Sequence, residues 1–167
     1  MTTQITVDLV PVSDDVLTLL LALAETDAEP GEVMPPVPGD PGWTEERRAA
    51  FRAFHRARQL TPDTTTTEVT FGVRADGEVA GSARLAQVDG DPATREVGLW
   101  LGRRFRGRGV GAQVLVRAAA ASRVMEAKRL LARTTADNVP AMGLVTAAGF
   151  TLTPDLDGGV EAVLDLR

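Results

Sequence analysis

The chain contains no cysteine, no tyrosine and a single histidine, and these absences remove whole classes of chemistry. Without cysteine there is no disulfide, no thiolate nucleophile and no thiolate metal site. One histidine, His55, excludes a multi-histidine metal cluster and a catalytic histidine dyad, so no metal is expected. No apolar run reaches the length of a membrane span. The start, Met1-Thr2-Thr3-Gln4, lacks the positive segment and apolar stretch of a secretory signal. No membrane partner and a cytoplasmic location are therefore expected. A net charge of −5 argues against general nucleic-acid affinity and suits a cationic partner instead.

What is present fits one soluble domain over residues 1–167. That length can bury a proper core, and 44% hydrophobic with 25% charged residues is ordinary for a globular chain. Residues 4–10 alternate apolar and polar, which predicts a first strand. Ser13 is placed to cap a helix whose apolar residues recur at Val16, Leu19, Leu20 and Leu23. Residues 27–43 are rich in proline and glycine and read as a long loop, a kind that is usually functional or disordered. Thr44 then caps a second helix, with Glu45 and Glu46 in its first turn and Phe51 and Phe54 on its apolar face.

From Glu68 the period changes to two. Residues 68–74 and 78–88 flank Asp76-Gly77, a strong hairpin-turn signal. A strand over residues 94–101 leads into a glycine run and a helix over residues 109–126. A short strand (residues 129–134) follows, then a helix capped by Asp137 and ended by Gly149, then strands at residues 150–153 and 160–166. The only low-complexity stretch is residues 64–67. The order β-α-α-β-β-β-α-β-α-β-β predicts an α/β (α+β) fold, a mixed sheet with helices on its faces.

The glycine run Arg106-Gly107-Arg108-Gly109-Val110-Gly111 is the most informative segment. It joins a strand to a helix, where uncovered amides and the helix dipole favour an anion. Residues 103–133 hold nine basic residues and one acid, Glu126, against the overall acidic trend. A phosphate-bearing ligand is expected here. A Walker A loop needs lysine and a hydroxyl residue after its last glycine, but Ala112 and Gln113 follow. A dinucleotide fingerprint needs a wider glycine spacing and a different element order. An arginine-rich surface turn with solvated cations is the plain alternative.

The run resembles the pyrophosphate loop of the GNAT superfamily of N-acetyltransferases. Its signature is Arg or Gln, two residues, Gly, one residue, then Gly or Ala; Arg106, Gly109 and Gly111 fill those places. The resemblance extends upstream through residues 96–101 and downstream through Asn138, Pro140, Ala141, Leu144, Gly149 and Phe150. It implies a GNAT fold, with about seven strands, about four flanking helices, and strands splayed around pantetheine. It also implies acetyl-CoA as acyl donor. Amides from Gly107 through Arg108, Gly109, Val110 and Gly111 to Ala112 would wrap the pyrophosphate. Arg103, Arg104, Arg106 and Arg108 would neutralise phosphates. The strand Leu99-Trp100-Leu101 would bond pantetheine and hold the oxyanion.

Acetyl transfer to an ammonium group needs a base, and the resemblance places Glu96 in that role. Its structural alternative is a strand carboxylate paired with Arg95. Asn138 matches the family asparagine that contacts cofactor or water; its alternative is a helix cap. Many members carry a tyrosine acid where this chain has Val145. A thiol of pKa roughly 8.5 leaves tolerably without one, so water or a hydroxyl such as Thr135 could substitute, and the role of acid is unassigned. For His55, among Arg52, Arg56 and Arg58, a solvated or half-buried helix position is expected.

The acids Asp27, Glu29, Glu32, Asp40, Glu45 and Glu46 lie together with no basic residue among them. With Met34 and Trp43 they suggest an acidic acceptor rim, of which Glu32, Met34, Asp40, Trp43 and Glu96 would touch the acceptor. The plain alternative is a solvated acidic loop. The expected acceptor is a small cationic amine, such as a polyamine or an aminoglycoside-like antibiotic, which would imply a resistance role. A protein N-terminal or lysine amine, as in the ribosomal-protein-acetylating branch, is the second reading. A silent acyl-CoA-binding sensor is the third. A homodimer is expected only because many relatives are dimers.

Overall fold

Ser13 and Thr44 act as their positions predict: the Ser13 hydroxyl accepts from the Val16 amide at 3.3 Å, and the Thr44 hydroxyl from the Arg47 amide at 3.2 Å. Each satisfies an N–H group that the first turn of a helix leaves unpaired. The computed structural model describes residues 3–59 and 67–167. Most of the threonine run at residues 64–67, and the first two residues, lie outside these. The elements are β1 (Val7–Pro11), α1 (Asp14–Asp27), α2 (Pro30–Val33), α3 (Glu45–Arg56), β2 (Glu68–Ala75), β3 (Glu78–Val88), β4 (Asp91–Leu101), α4 (Val110–Val124), β5 (Arg129–Thr135), α5 (Val139–Ala147), β6 (Thr151–Pro154) and β7 (Gly159–Asp165). A 3₁₀ turn, Arg103–Phe105, stands between β4 and α4.

The fold is α/β, with one seven-stranded mixed sheet in the order β1-β2-β3-β4-β5-β7-β6. Only the β4–β5 pair is parallel. The β2–β3 hairpin turns at Asp76 and Gly77, with φ of 49° and 84°, the paired positive torsions of a tight hairpin. Among the described residues the flanking helices number five rather than about four. The additional one, α2, lies in the segment expected to be loop. Glu29 and Glu32 cap it reciprocally and Pro30 pre-sets its first turn, so a short helix forms despite the proline and glycine content. Asn138, not Asp137, caps α5, and Gly149 stands just beyond its end at φ +84°.

The two faces of the sheet are covered differently. Helix α4, joined by residues of α5, packs on one face over Val69, Leu85, Val97 and Leu130, and farther along over Val73, Ala83 and Leu101. Helices α1 and α3 cover the other face through Val16, Leu20 and Phe51. No helix among the described residues is long and apolar enough to cross a membrane.

Candidate active site

Strands β4 and β5 pair at only three rungs: Thr94↔Arg129, Arg95↔Leu130 and Glu96↔Leu131. Beyond Glu96, β4 stays with β3 as far as Gly81↔Leu101, while β5 stays with β7 as far as Thr135↔Gly159. The two strands part, and the fork exposes one edge of β4. Gly81 lets β3 lie close to the end of β4, since a Cβ there would sit 1.9 Å from the Trp100 carbonyl oxygen.

A cleft of about 580 Å³ opens at the fork. Leu99, Trp100 and Leu101 line it from β4, and Arg106, Gly107, Gly109, Gly111 and Ala112 from the glycine loop and the start of α4. Asn138, Pro140, Ala141, Gly143 and Leu144 complete it from α5. Gly107 and Gly109 adopt φ of +68° and +82°, where side-chain-bearing residues are strained. A Cβ at either would meet nothing within 4 Å, so torsion rather than crowding requires glycine. Gly109 caps α4 without a side-chain hydrogen bond, and the first turn of α4 holds no acid. Amides at the first turn of α4 therefore lack intrahelical partners and carry the positive end of the helix dipole. The chemistry and room of this cleft fit a phosphate-bearing ligand.

The expected arginines are not all in the cleft. Arg106 is there, with its Nε donating to the Leu101 carbonyl at 2.8 Å. Arg104 pairs with Glu78, the Arg103 amide donates to Asp27 at 2.7 Å, and Arg108 lines a separate groove beside Gln113. Val110 is fully buried in the core. Asn138 caps α5, its Oδ1 accepting from the Ala141 amide at 3.2 Å, and it also lines the cleft. Val145 is a buried core residue.

A second cavity, about 460 Å³, lies against β4 and shares Leu99 and Trp100 with the cleft. Of the residues expected at the acceptor, Glu32 and Met34 line it. Asp40 and Trp43 stand apart. The Trp43 indole N–H donates to the Ala28 carbonyl at 3.0 Å, and its ring meets Phe51 edge-on at 5.8 Å. Arg47 gathers the loop by donating to the carbonyls of Val37, Gly39, Asp40 and Gly42. The acids of this region serve local structure as well: Asp27 holds the Arg103 amide, Glu29 and Glu32 cap α2, and Glu45 pairs with Arg48 and Arg52. The expected acidic rim is thus largely a set of caps and ion pairs.

Several polar residues of this cavity were not anticipated. Glu68 accepts from Arg58 Nε and Arg84 Nε at 2.5 Å each. Burial pushes its carboxyl up, but hydrogen bonds and charge from Arg84 and Arg58 outweigh that and hold it below the usual range. His55 is 2% exposed and lines the cavity, contrary to the expected solvated or half-buried position. Its Nδ1 lies 2.8 Å from the Phe51 carbonyl oxygen, and burial pushes its pKa down. The spacing of four from Phe51 was the available signal, because it puts both on the apolar face of α3. Thr70 Oγ1 and Trp100 Nε1 also belong to residues of this cavity; both atoms are buried and have no hydrogen-bond partner among the described residues.

Glu96 does not line this cavity. It lies in the adjoining groove with Arg133, to which its carboxylate is bonded, rather than with Arg95. The groove and the cavity share Glu68 and Arg84.

A family model described as an acetyltransferase (GNAT) domain matches residues 7–151. Among solved structures, the GNAT domain of S. lividans PAT is 21% identical, with 96% of this chain and 90% of that chain covered at a TM-score of 0.69. An acetyltransferase from Thermus thermophilus is 20% identical, with 97% and 98% covered at 0.68. The N-acetyltransferase PseH of Campylobacter jejuni, solved in complex with acetyl coenzyme A, is 15% identical, with 97% and 100% covered at 0.65. None of the curated proteins compared matches this chain.

Proposed function

The chain belongs to the GNAT acetyltransferase family, and we propose that it moves an acetyl group from acetyl-CoA to a primary amine on a small acceptor. The observation that carries this reading is the junction at Leu99 and Trp100. There the phosphate-suited cleft and the second cavity meet across β4. In this reading the amides at the start of α4 hold the pyrophosphate, and the β4 edge freed by the fork bonds the pantetheine arm. The donor's thioester is thereby presented to an amine arriving from the other side. Backbone amides near Leu101 would stabilise the oxyanion formed as the amine adds. No tyrosine acid is required, because a thiolate leaves tolerably near neutral pH.

The acceptor cavity carries two acids, Glu32 and Glu68, and two arginines, Arg58 and Arg84. This balance supports a small acceptor with one reactive amine more than a polycation such as an aminoglycoside. The test is thiol release from acetyl-CoA with a panel of lysine, glycylglycine, spermidine and kanamycin. Turnover is expected with lysine and glycylglycine, and stronger turnover with spermidine or kanamycin would restore the polycationic acceptor. Tight CoA binding without release for any amine would overturn the enzyme in favour of a sensor.

A further inference from the structure

We propose that His55 is the general base that takes the proton from the acceptor's ammonium group, a role that rests on the acetyltransferase reading above.

The geometry fixes which proton the imidazole carries. The Phe51 carbonyl oxygen beside Nδ1 can only accept, so Nδ1 holds the hydrogen and Nε2 of the neutral ring holds the lone pair. The ring is clamped at a centroid distance of 4.1 Å from Phe51 and 5.3 Å from Phe54, so it has little freedom to turn away. It lines the same cavity as Leu99 and Trp100, where the thioester would be presented.

The other candidates for a base in that cavity are committed. Glu68 on β2 is held between Arg58, just past α3, and Arg84 on β3, and its carboxyl stays ionised. Glu32 on α2 accepts from the Glu29 amide at 2.6 Å as a cap. From α1, Asp14 and Glu25 face Arg56 and Arg48. Glu96 on β4 is in the next groove, bonded to Arg133. Thr70 Oγ1 and Trp100 Nε1, two buried atoms without a hydrogen-bond partner among the described residues, belong to residues of the same cavity.

The proton balance closes without further groups. An ammonium gives one proton to Nε2 and the resulting amine attacks the thioester carbonyl. The new C–N bond forms, the C–S bond breaks, and the second nitrogen proton passes to the departing thiolate, giving the amide and CoA thiol. His55 then returns its proton to solvent.

Because the chain has one histidine, its imidazole resonance is assigned without mutagenesis. The experiment follows that resonance by NMR against pH in the wild-type protein. It is compared with the pH profile of kcat/KM for whichever of lysine, glycylglycine, spermidine or kanamycin turns over fastest. The ring should titrate below about 6.5, and the ascending limb of kcat/KM should follow it. His55→Gln should lower kcat by about 10²-fold or more, lose that limb, and keep CoA affinity within about twofold by calorimetry. Wild-type kcat in His55→Gln, or a kinetic limb displaced from the imidazole titration, would overturn the base while leaving an acetyltransferase. Absence of turnover by the wild type with every amine would instead overturn the acetyltransferase reading. Should His55→Gln fail to fold, the comparison of titration and limb in the wild type decides.

Discussion

The Arg133 guanidinium on β5 closes on the Glu96 carboxylate of β4 and also reaches Glu161 of β7 at 3.1 Å. Glu96 occupies the last rung shared by β4 and β5, and Arg133 lies two residues past its partner Leu131. The ion pair therefore ties the strands together at the root of the fork. With Arg133 half exposed, the pair contributes only about 0–1 kcal/mol to stability. Glu96→Gln is expected to lower kcat by less than about tenfold, well short of the loss for His55→Gln. Steady-state rates of the two variants side by side make the comparison. A loss in Glu96→Gln as large as that of His55→Gln would return the base to Glu96.

Gly109→Ala separates backbone torsion from packing. The position has φ +82° with open space around its absent Cβ, so the substitution costs about 1–2 kcal/mol of conformational strain. Relief of that strain would turn the amides at the start of α4 out of place. CoA affinity, measured by calorimetry, should weaken by about tenfold or more, the equivalent of roughly 1.4 kcal/mol. Gly158→Ala, at φ +83° just before β7, carries the same strain away from the cleft and should leave CoA affinity unchanged.

Trp43→Ala should damage the scaffold rather than the chemistry. It removes the contact with Phe51 and the hydrogen bond to the Ala28 carbonyl. A loss of roughly 3 kcal/mol in urea unfolding is expected. CoA affinity and the acceptor's KM should stay near wild type. A large rise in acceptor KM at intact stability would show that the indole contacts the acceptor after all.

The buried His55 and the partly exposed Glu68 both contribute to the acid sensitivity of the fold, and in the same direction. His55 has a folded-state pKa below its ordinary value of 6.5, chiefly through burial, so the unfolded chain binds protons first as pH falls. Stability is full above that value and declines from about 6.5 toward the lower folded pKa. The Glu68 carboxyl is likewise depressed: burial opposes this, but the bonds and charges of Arg84 and Arg58 prevail. Its contribution is present above the usual Glu value and is lost as pH drops through the folded pKa. The melting temperature should therefore fall between pH 7.5 and pH 5 in the wild type. Calorimetry on His55→Gln should show that decline flattened, whereas Glu68→Gln should flatten the steeper decline below about pH 4.5. An unchanged slope in both variants would refute the assignment.

What sequence reading recovered was local. The Ser13 and Thr44 caps, the Asp76-Gly77 turn and the glycine loop each depend on a few adjacent residues, and each stands where its spacing indicated. The cavity against β4 depends instead on distant partners. Glu68 meets Arg58 ten residues before it and Arg84 sixteen after, while Asp27 holds an amide 76 residues away. Such pairings turned an apparently free acidic rim into caps and ion pairs. His55 was obscured by its arginine neighbours, although the step of four from Phe51 put it on the buried side. The helix α2 was hidden by composition, because a mutual Glu29–Glu32 cap offsets the effect of proline and glycine.

The place of Trp100 at the junction of cleft and cavity has a spectroscopic consequence. With no tyrosine in the chain, near-ultraviolet emission arises from two indoles, Trp43 and Trp100. Replacing Trp43 by phenylalanine leaves one fluorophore, and it borders both the cleft at the fork and the cavity against β4. Arrival of either partner then registers as a change in the colour and intensity of the same reporter, and the order of binding can be read from it without any added label.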